Sequence, residues 1–149
     1  MKKALISTLL LSLSGLATAS TAFTDAAEAV KYRQASFQLI RHNMLDIRDM
    51  VQGNIEWDDA RIKRRADALA LVSTLPWEAF KVAGTEQGGG DAKAAVWQNM
   101  ADFTELGEKL AADAAALKVA ADSGEQAAIR RAFGNYARNC KACHDNYKN

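Results

Sequence analysis

The sequence predicts an all-α fold, an antiparallel up-down-up-down four-helix bundle, on three observations. Apolar residues recur at helical spacing in four separate stripes. Only one proline interrupts 149 residues and β-branched runs are few, which argues against an all-β fold. The connections between stripes are short on either side of one longer loop, which suits antiparallel neighbours. The length supports one domain with a sizeable core. A net charge of +1 gives no reason to expect a nucleic-acid partner, and two cysteines are too few for a disulfide scaffold.

Residues 1–22 read as an address. Lys2 and Lys3 precede the apolar run ALISTLLLSLSGLATA and a group of small residues, the pattern of a secretory signal peptide. Cleavage after Ala19 and cleavage after Ala22 both fit. The run is shorter than the ~20 apolar residues that a spanning helix needs. The mature chain, a single domain over 23–149, is therefore expected to be exported without a membrane span, to the periplasm of a Gram-negative source. Without Lys2 and Lys3 it is close to neutral.

Each helix has its own signals. Thr24 is positioned to cap the first, whose stripe is Val30, Phe37, Met44 and Val51 with Ile40 and Ile47, and Gly53 closes it. The second begins near Asp58 or Asp59, carries Ile62, Ala66, Leu69 and Val72, and must stop before Pro76. Residues 82–93 form the long loop. Its Gly88-Gly89-Gly90 lacks the lysine and hydroxyl residue of a phosphate cradle and reads as a linker. The third helix carries Val96, Met100, Phe103, Leu110, Ala114 and Leu117 and ends near Asp122, where Ser123 and Gln126 suggest a capping box for the fourth. That helix shows Ile129, Phe133, Tyr136, Cys140, Cys143 and Tyr147, alternating four and three. Arg61, Lys63, Arg64 and Arg65, flanked by Asp58, Asp59 and Asp67, read as a solvated helix face, with a docking patch for a redox partner as the alternative.

Cys140-Lys141-Ala142-Cys143-His144 is C-x-x-C-H, the attachment signature of c-type haem. Each thiol adds across one vinyl group, and the imidazole must then reach the iron. On a helix Cys143 lies about 60° to one side of Cys140 and His144 about 40° to the other. All three fall on the apolar seam, so one covalent haem c per chain belongs in the bundle core. A thioredoxin-type C-x-x-C would begin a helix in a βαβ unit, and a zinc site needs about four ligands. Here the motif ends a helix, and His42 is the only other histidine.

The sixth iron position decides the function. Methionine or a second histidine there gives a low-spin electron carrier, whereas an open position admits small molecules. His42 and Met50 lie about 140° around the helix from Phe37 and read as surface residues. Met44 shares the Phe37 stripe about 10.5 Å along the axis, and Met100 is on the seam of the third helix. A seam methionine is more often a gap-filler than a ligand, so the sequence leans towards an open position, with Met44 as the alternative ligand.

The chain resembles the cytochrome c′ family in Ala29-Val30-Lys31-Tyr32-Arg33-Gln34, Leu75-Pro76-Trp77-Glu78-Ala79-Phe80 and Val96-Trp97, and most closely from Cys140 to Lys148. The resemblance implies a homodimer whose five-coordinate haem, ligated by His144, binds nitric oxide, with electron transfer to a redox protein as a further role; the sequence carries no pattern of a catalytic triad or carboxylate pair, so no enzymatic turnover is expected. It places Phe37 against the open face of the iron, where many members carry leucine, so carbon monoxide is expected to bind poorly. It places Arg33 beside a haem propionate and Lys148, where many members have arginine, on the proximal side. Trp77 stands near the haem edge or in ordinary core packing.

Overall fold

The computed structural model describes residues 22–149, so the signal-peptide expectation lies, apart from Ala22, outside the described residues. Four long helices, α1 (Ala26–Gln52), α2 (Asp59–Val72), α4 (Met100–Ser123) and α5 (Gln126–Tyr147), form the bundle, with a single turn, α3 (Ala95–Gln98), ahead of α4. The first packs on the second, the second on α4, and α4 on α5, which returns to α1. No described helix is long and apolar enough to cross a membrane.

Helix α1 starts one residue later than its sequence suggested. Asp25, extended at φ −158°, is the cap and accepts from the Glu28 N–H at 2.8 Å. Thr24 instead donates its N–H and hydroxyl to the Glu28 carboxylate, at 2.6 and 2.8 Å, so two polar groups at the helix entry satisfy each other. Gly53 ends the helix as expected, in the left-handed region at φ +76°, where its N–H reaches the Asp49 and Met50 carbonyls.

The buried seam of α1 also differs from the apolar stripe. It runs Ala29, Arg33, Ser36, Ile40, Asn43, Ile47 and Met50, alternating four and three, while Phe37, Met44 and Val51 flank it half-buried. Met50, expected on the surface, is 1% exposed. Three polar residues on the seam disguise it. Ser36 and Asn43 are tolerated because their side chains donate to the Tyr32 and Leu39 carbonyls one turn back, at 2.9 and 2.8 Å. One half of the bundle is then an ordinary apolar core, Ile47 and Met50 against Ile62, Leu69, Leu117 and Ile129.

The remaining elements keep their order with local changes. Asp58 caps α2, accepting from the Arg61 N–H at 2.9 Å. Arg61 and Arg65 are not simply solvated: both guanidinium groups donate to Asp46 on α1. Together they hold the Asp46 carboxyl below its ordinary pKa, so this link favours the folded state at neutral pH and weakens as acid protonates Asp46. Lys63 and Lys118 likewise bridge Asp67 and Asp122 between α2 and α4. Asn99, at φ −129° and ψ 45°, breaks the third stripe into α3 and α4, and its side-chain amide takes the Ala95 carbonyl at 3.2 Å. Ser123 is the last residue of α4 rather than a box cap, and its hydroxyl accepts from the Glu125 N–H at 3.2 Å.

The segment between α2 and α3 is more than a linker. Short 3₁₀ turns at Glu78–Lys81 and Thr85–Gln87 fold it onto α1. Thr85 is fully buried, its hydroxyl 2.7 Å from the Val82 carbonyl. A Cβ at Gly88 would lie 2.3 Å from Val30 Cγ2, so only glycine permits this approach. Trp77 donates its indole N–H to the Ser73 carbonyl at 2.7 Å and lays its ring on Gly107 of α4, where a Cβ would come within 2.7 Å of Cδ2.

That contact sets a test. Alanine gains about 1 kcal/mol over glycine in helix propensity, whereas overpacking against a fixed indole costs about 1–3 kcal/mol. Gly107→Ala is expected to lower the unfolding free energy of the holoprotein by a net ~1 kcal/mol, read as a lower denaturant midpoint with an unchanged slope. A raised midpoint would show that Trp77 is free to move.

Candidate haem site

Helices α1, α4 and α5 and the segment after Pro76 enclose a cavity of about 740 Å³, within the range of cofactor sites. Arg33, Phe37 and Met44 reach its wall from α1, and Asn139, Cys140, Cys143, His144 and Tyr147 from α5. Leu106 and Leu110 of α4 and the rings of Trp77 and Phe80 supply much of the apolar lining. Phe37 meets Trp77 edge-on at 5.8 Å and Phe80 at 6.3 Å, so neighbouring rings fix its orientation.

The three motif residues arrive together because α5 carries them on one arc. Cys140 and Cys143 are half-buried and unpaired thiols. Burial pushes the Cys140 thiol up to about 11, with the neighbouring Cys143 adding to the shift, and also raises Cys143. A redox-active C-x-x-C needs the opposite, a thiol lowered towards neutrality. Partial burial and, next, the Lys148 charge push the His144 imidazole down, which favours the neutral form that ligates metals. Lys148 itself is tied to Asp91, Nζ to Oδ2 at 2.7 Å, and its backbone pairs with Ala92 in an isolated antiparallel bridge.

Arg33, the charged residue on the α1 seam, is 3% exposed. Its Nη2 donates to the Thr85 carbonyl at 3.1 Å, and its guanidinium carbon lies 4.5 Å from the Phe80 centroid and 5.4 Å from that of Trp97. Burial lowers its pKa, but arginine starts so high that it stays charged. Its Nη1 is buried without a hydrogen-bond partner. An unpaired charged donor is costly in the interior, and the carboxylate of a haem propionate would satisfy it. Two thiols, an imidazole, apolar walls and this orphaned donor fit a covalently attached haem.

The structure separates the other sequence candidates. Met44 and Trp77 line the cavity. His42 is exposed, Met50 is in the opposite half of the core, and Met100 packs beside the Phe80–Phe103 cluster outside the wall. Sequence reasoning missed Asn139, whose amide donates to the Leu106 carbonyl at 3.2 Å beside Cys140. It also missed Asp102, an exposed carboxylate that receives the Tyr147 hydroxyl. Nothing in the local pattern around Asp102 signals that partner, forty-five residues away.

Comparison with known proteins agrees with this site. The sequence model of the family described as Cytochrome C′ matches residues 28–148. Cytochrome c′ of Alcaligenes xylosoxydans xylosoxydans is 37% identical over 126 residues, 85% of this chain and 97% of that one. The structure of cytochrome c prime from Shewanella frigidimarina superposes with a TM-score of 0.81 at 43% identity, covering 85% of this chain and 98% of the other. A ferrous variant of cytochrome c prime from Alcaligenes xylosoxidans with bound NO gives a TM-score of 0.77 at 38% identity, over 85% and 97% of the two chains. By sequence over nearly the whole described chain, and by fold, this protein belongs to the cytochrome c′ family and carries that family's covalently bound haem c.

Proposed function

We propose that the chain is a periplasmic cytochrome with a five-coordinate, high-spin haem that binds nitric oxide. Cys140 and Cys143 hold the haem through thioethers, His144 is its one protein ligand, Arg33 pairs with a propionate, and Lys148 stands on the proximal side. The observation that carries this reading is the make-up of a single cavity wall: both thiols and the imidazole come from α5, and the ring of Phe37, which has no ligating atom, comes from α1. The bulk of Phe37, braced by Trp77 and Phe80, disfavours carbon monoxide. A nitric-oxide complex of a family member supports the choice of ligand. A signal peptide within residues 1–22, cut after Ala19 or Ala22, is removed on export, leaving the domain 23–149. Exposed Leu39 on α1 and Leu71 on α2, at 52% and 66%, supply apolar surface for a homodimer. Electron exchange with a redox protein is a second role, and neither role requires substrate turnover.

The presence of Met44 in the cavity wall favours one rival reading, a six-coordinate low-spin electron carrier with Met44 as the second axial ligand. The visible spectrum of the reduced protein decides between them. The proposal expects a broad high-spin envelope that responds to nitric oxide but little to carbon monoxide, unchanged in Met44→Leu. Sharp, split bands indifferent to both gases, lost on that substitution, would establish the carrier.

Two variants probe the named residues. Removing one steric conflict is worth about 1–3 kcal/mol, so Phe37→Ala is expected to tighten carbon monoxide binding by about tenfold or more, read by gas titration. An unaltered affinity would remove Phe37 from the iron's open face. Haem should stay on the wild-type chain through a denaturing gel and leave the Cys140→Ser/Cys143→Ser double variant.

A further inference from the structure

We infer that Tyr147 and Asp102 form a redox-active pair that draws oxidising equivalents out of the haem site when it meets a peroxide. The inference rests on the haem of Cys140 and Cys143 occupying the cavity, and it goes beyond gas binding.

The chain's three tyrosines differ in what their hydroxyls face. Oxidising a phenol by one electron makes it a strong acid, so the proton needs an acceptor already in place. Tyr147 has one. Its ring is 6% exposed and shares the cavity wall with Cys143 and His144. Its hydroxyl donates to Asp102 Oδ2, and Asp102 is exposed at the surface of α4. A buried ring on the haem side is thus joined to a base on the water side. Tyr136 is the contrast: it is fully buried, and its hydroxyl meets the Ser73 hydroxyl at 2.9 Å, where Ser73 is itself fully buried and no base. Tyr32 also faces a carboxylate, Glu78, but it does not line the cavity; its ring packs against Phe23 at 5.1 Å.

Hydrogen peroxide is the oxidant the step requires. Its O–O bond breaks as it takes up two electrons, which brings both oxygens to the oxidation level of water. Tyr147 supplies one of these electrons, and the haem held by Cys140, Cys143 and His144 would supply the other. As the electron leaves the ring, the phenolic proton crosses the existing hydrogen bond to Asp102 Oδ2, and a neutral phenoxyl radical is left on Tyr147. The exposed carboxylate then passes the proton to water. Contact of Tyr147 with Phe103 at 5.3 Å, and of Phe103 with Trp77 at 5.5 Å, keeps the radical within a packed aromatic cluster.

The test mixes ferric holoprotein with hydrogen peroxide, freezes it within milliseconds and records the electron paramagnetic resonance spectrum. The expected result is a tyrosyl signal that narrows when the protein is made with ring-deuterated tyrosine. It should be absent in Tyr147→Phe and unaltered in Tyr136→Phe. Asp102→Asn keeps a hydrogen-bond acceptor but removes the base, and a positioned base is worth about 10²-fold or more in rate. The radical should therefore form about a hundredfold more slowly there. No tyrosyl signal in the wild type, or an equal one in Tyr147→Phe, would overturn the inference, as would formation at the wild-type rate in Asp102→Asn. The visible spectrum of the same samples reports separately whether the haem is attached, so failure of the haem assignment is distinguishable from failure of the tyrosine pair.

Discussion

The guanidinium of Arg33 is the charge around which one end of the bundle is built. Taking an arginine out of water is expensive unless its donors and its charge are met. Here the Thr85 carbonyl meets Nη2, and the faces of Phe80 and Trp97 meet the charge. Those partners lie on the segment between α2 and α4, which explains why that stretch folds into 3₁₀ turns instead of swinging free. Thr85 is buried because its carbonyl has to reach the guanidinium, and Gly88 is glycine because the turn then presses onto Val30. The donor left over, Nη1, is buried without a partner, and a haem propionate would satisfy it.

From there the core divides. Away from Arg33, aliphatic side chains of all four long helices interdigitate with Met50 and Tyr136. Around it, Phe37, Trp77, Phe80, Phe103 and Tyr147 meet mostly edge-to-face and form a stiff aromatic frame. A frame of rings linked at fixed angles holds a flat cofactor better than flexible aliphatic chains, which relax into any space offered. Gly107 belongs to this frame although it has no side chain, because its missing Cβ seats Trp77. Edge-on contacts with Trp77 and Phe80 hold the Phe37 ring in place, and the proposed barrier to carbon monoxide requires that it cannot rotate away.

Sequence and structure part company where polar residues take apolar positions. Apolar periodicity traces the heptad of α1 through Phe37 and Met44, which flank the seam. Its true line passes through Arg33, Ser36 and Asn43, and hydrophobic periodicity has no way to count a polar residue as buried. Ser36 and Asn43 satisfy themselves on the preceding turn, and Arg33 does so on a distant loop. The same blindness put Met50 on the surface. It also made a basic cluster of Arg61 and Arg65, whose common partner, Asp46, sits on another helix.

By itself, the sequence determined the all-α class, the order of the helices, most of their ends and the attachment motif. All of these are local: a 3.6-residue period, a glycine at φ +76°, an acidic cap, and three residues within one arc of a helix. Only the tertiary structure decided which face of α1 is buried, that residues 82–93 pack rather than link, and that Tyr147 hands its proton donor to Asp102. Each of those depends on a partner tens of residues away. A contact of that kind exists only once the helices have docked, so no window of neighbouring residues carries its signature.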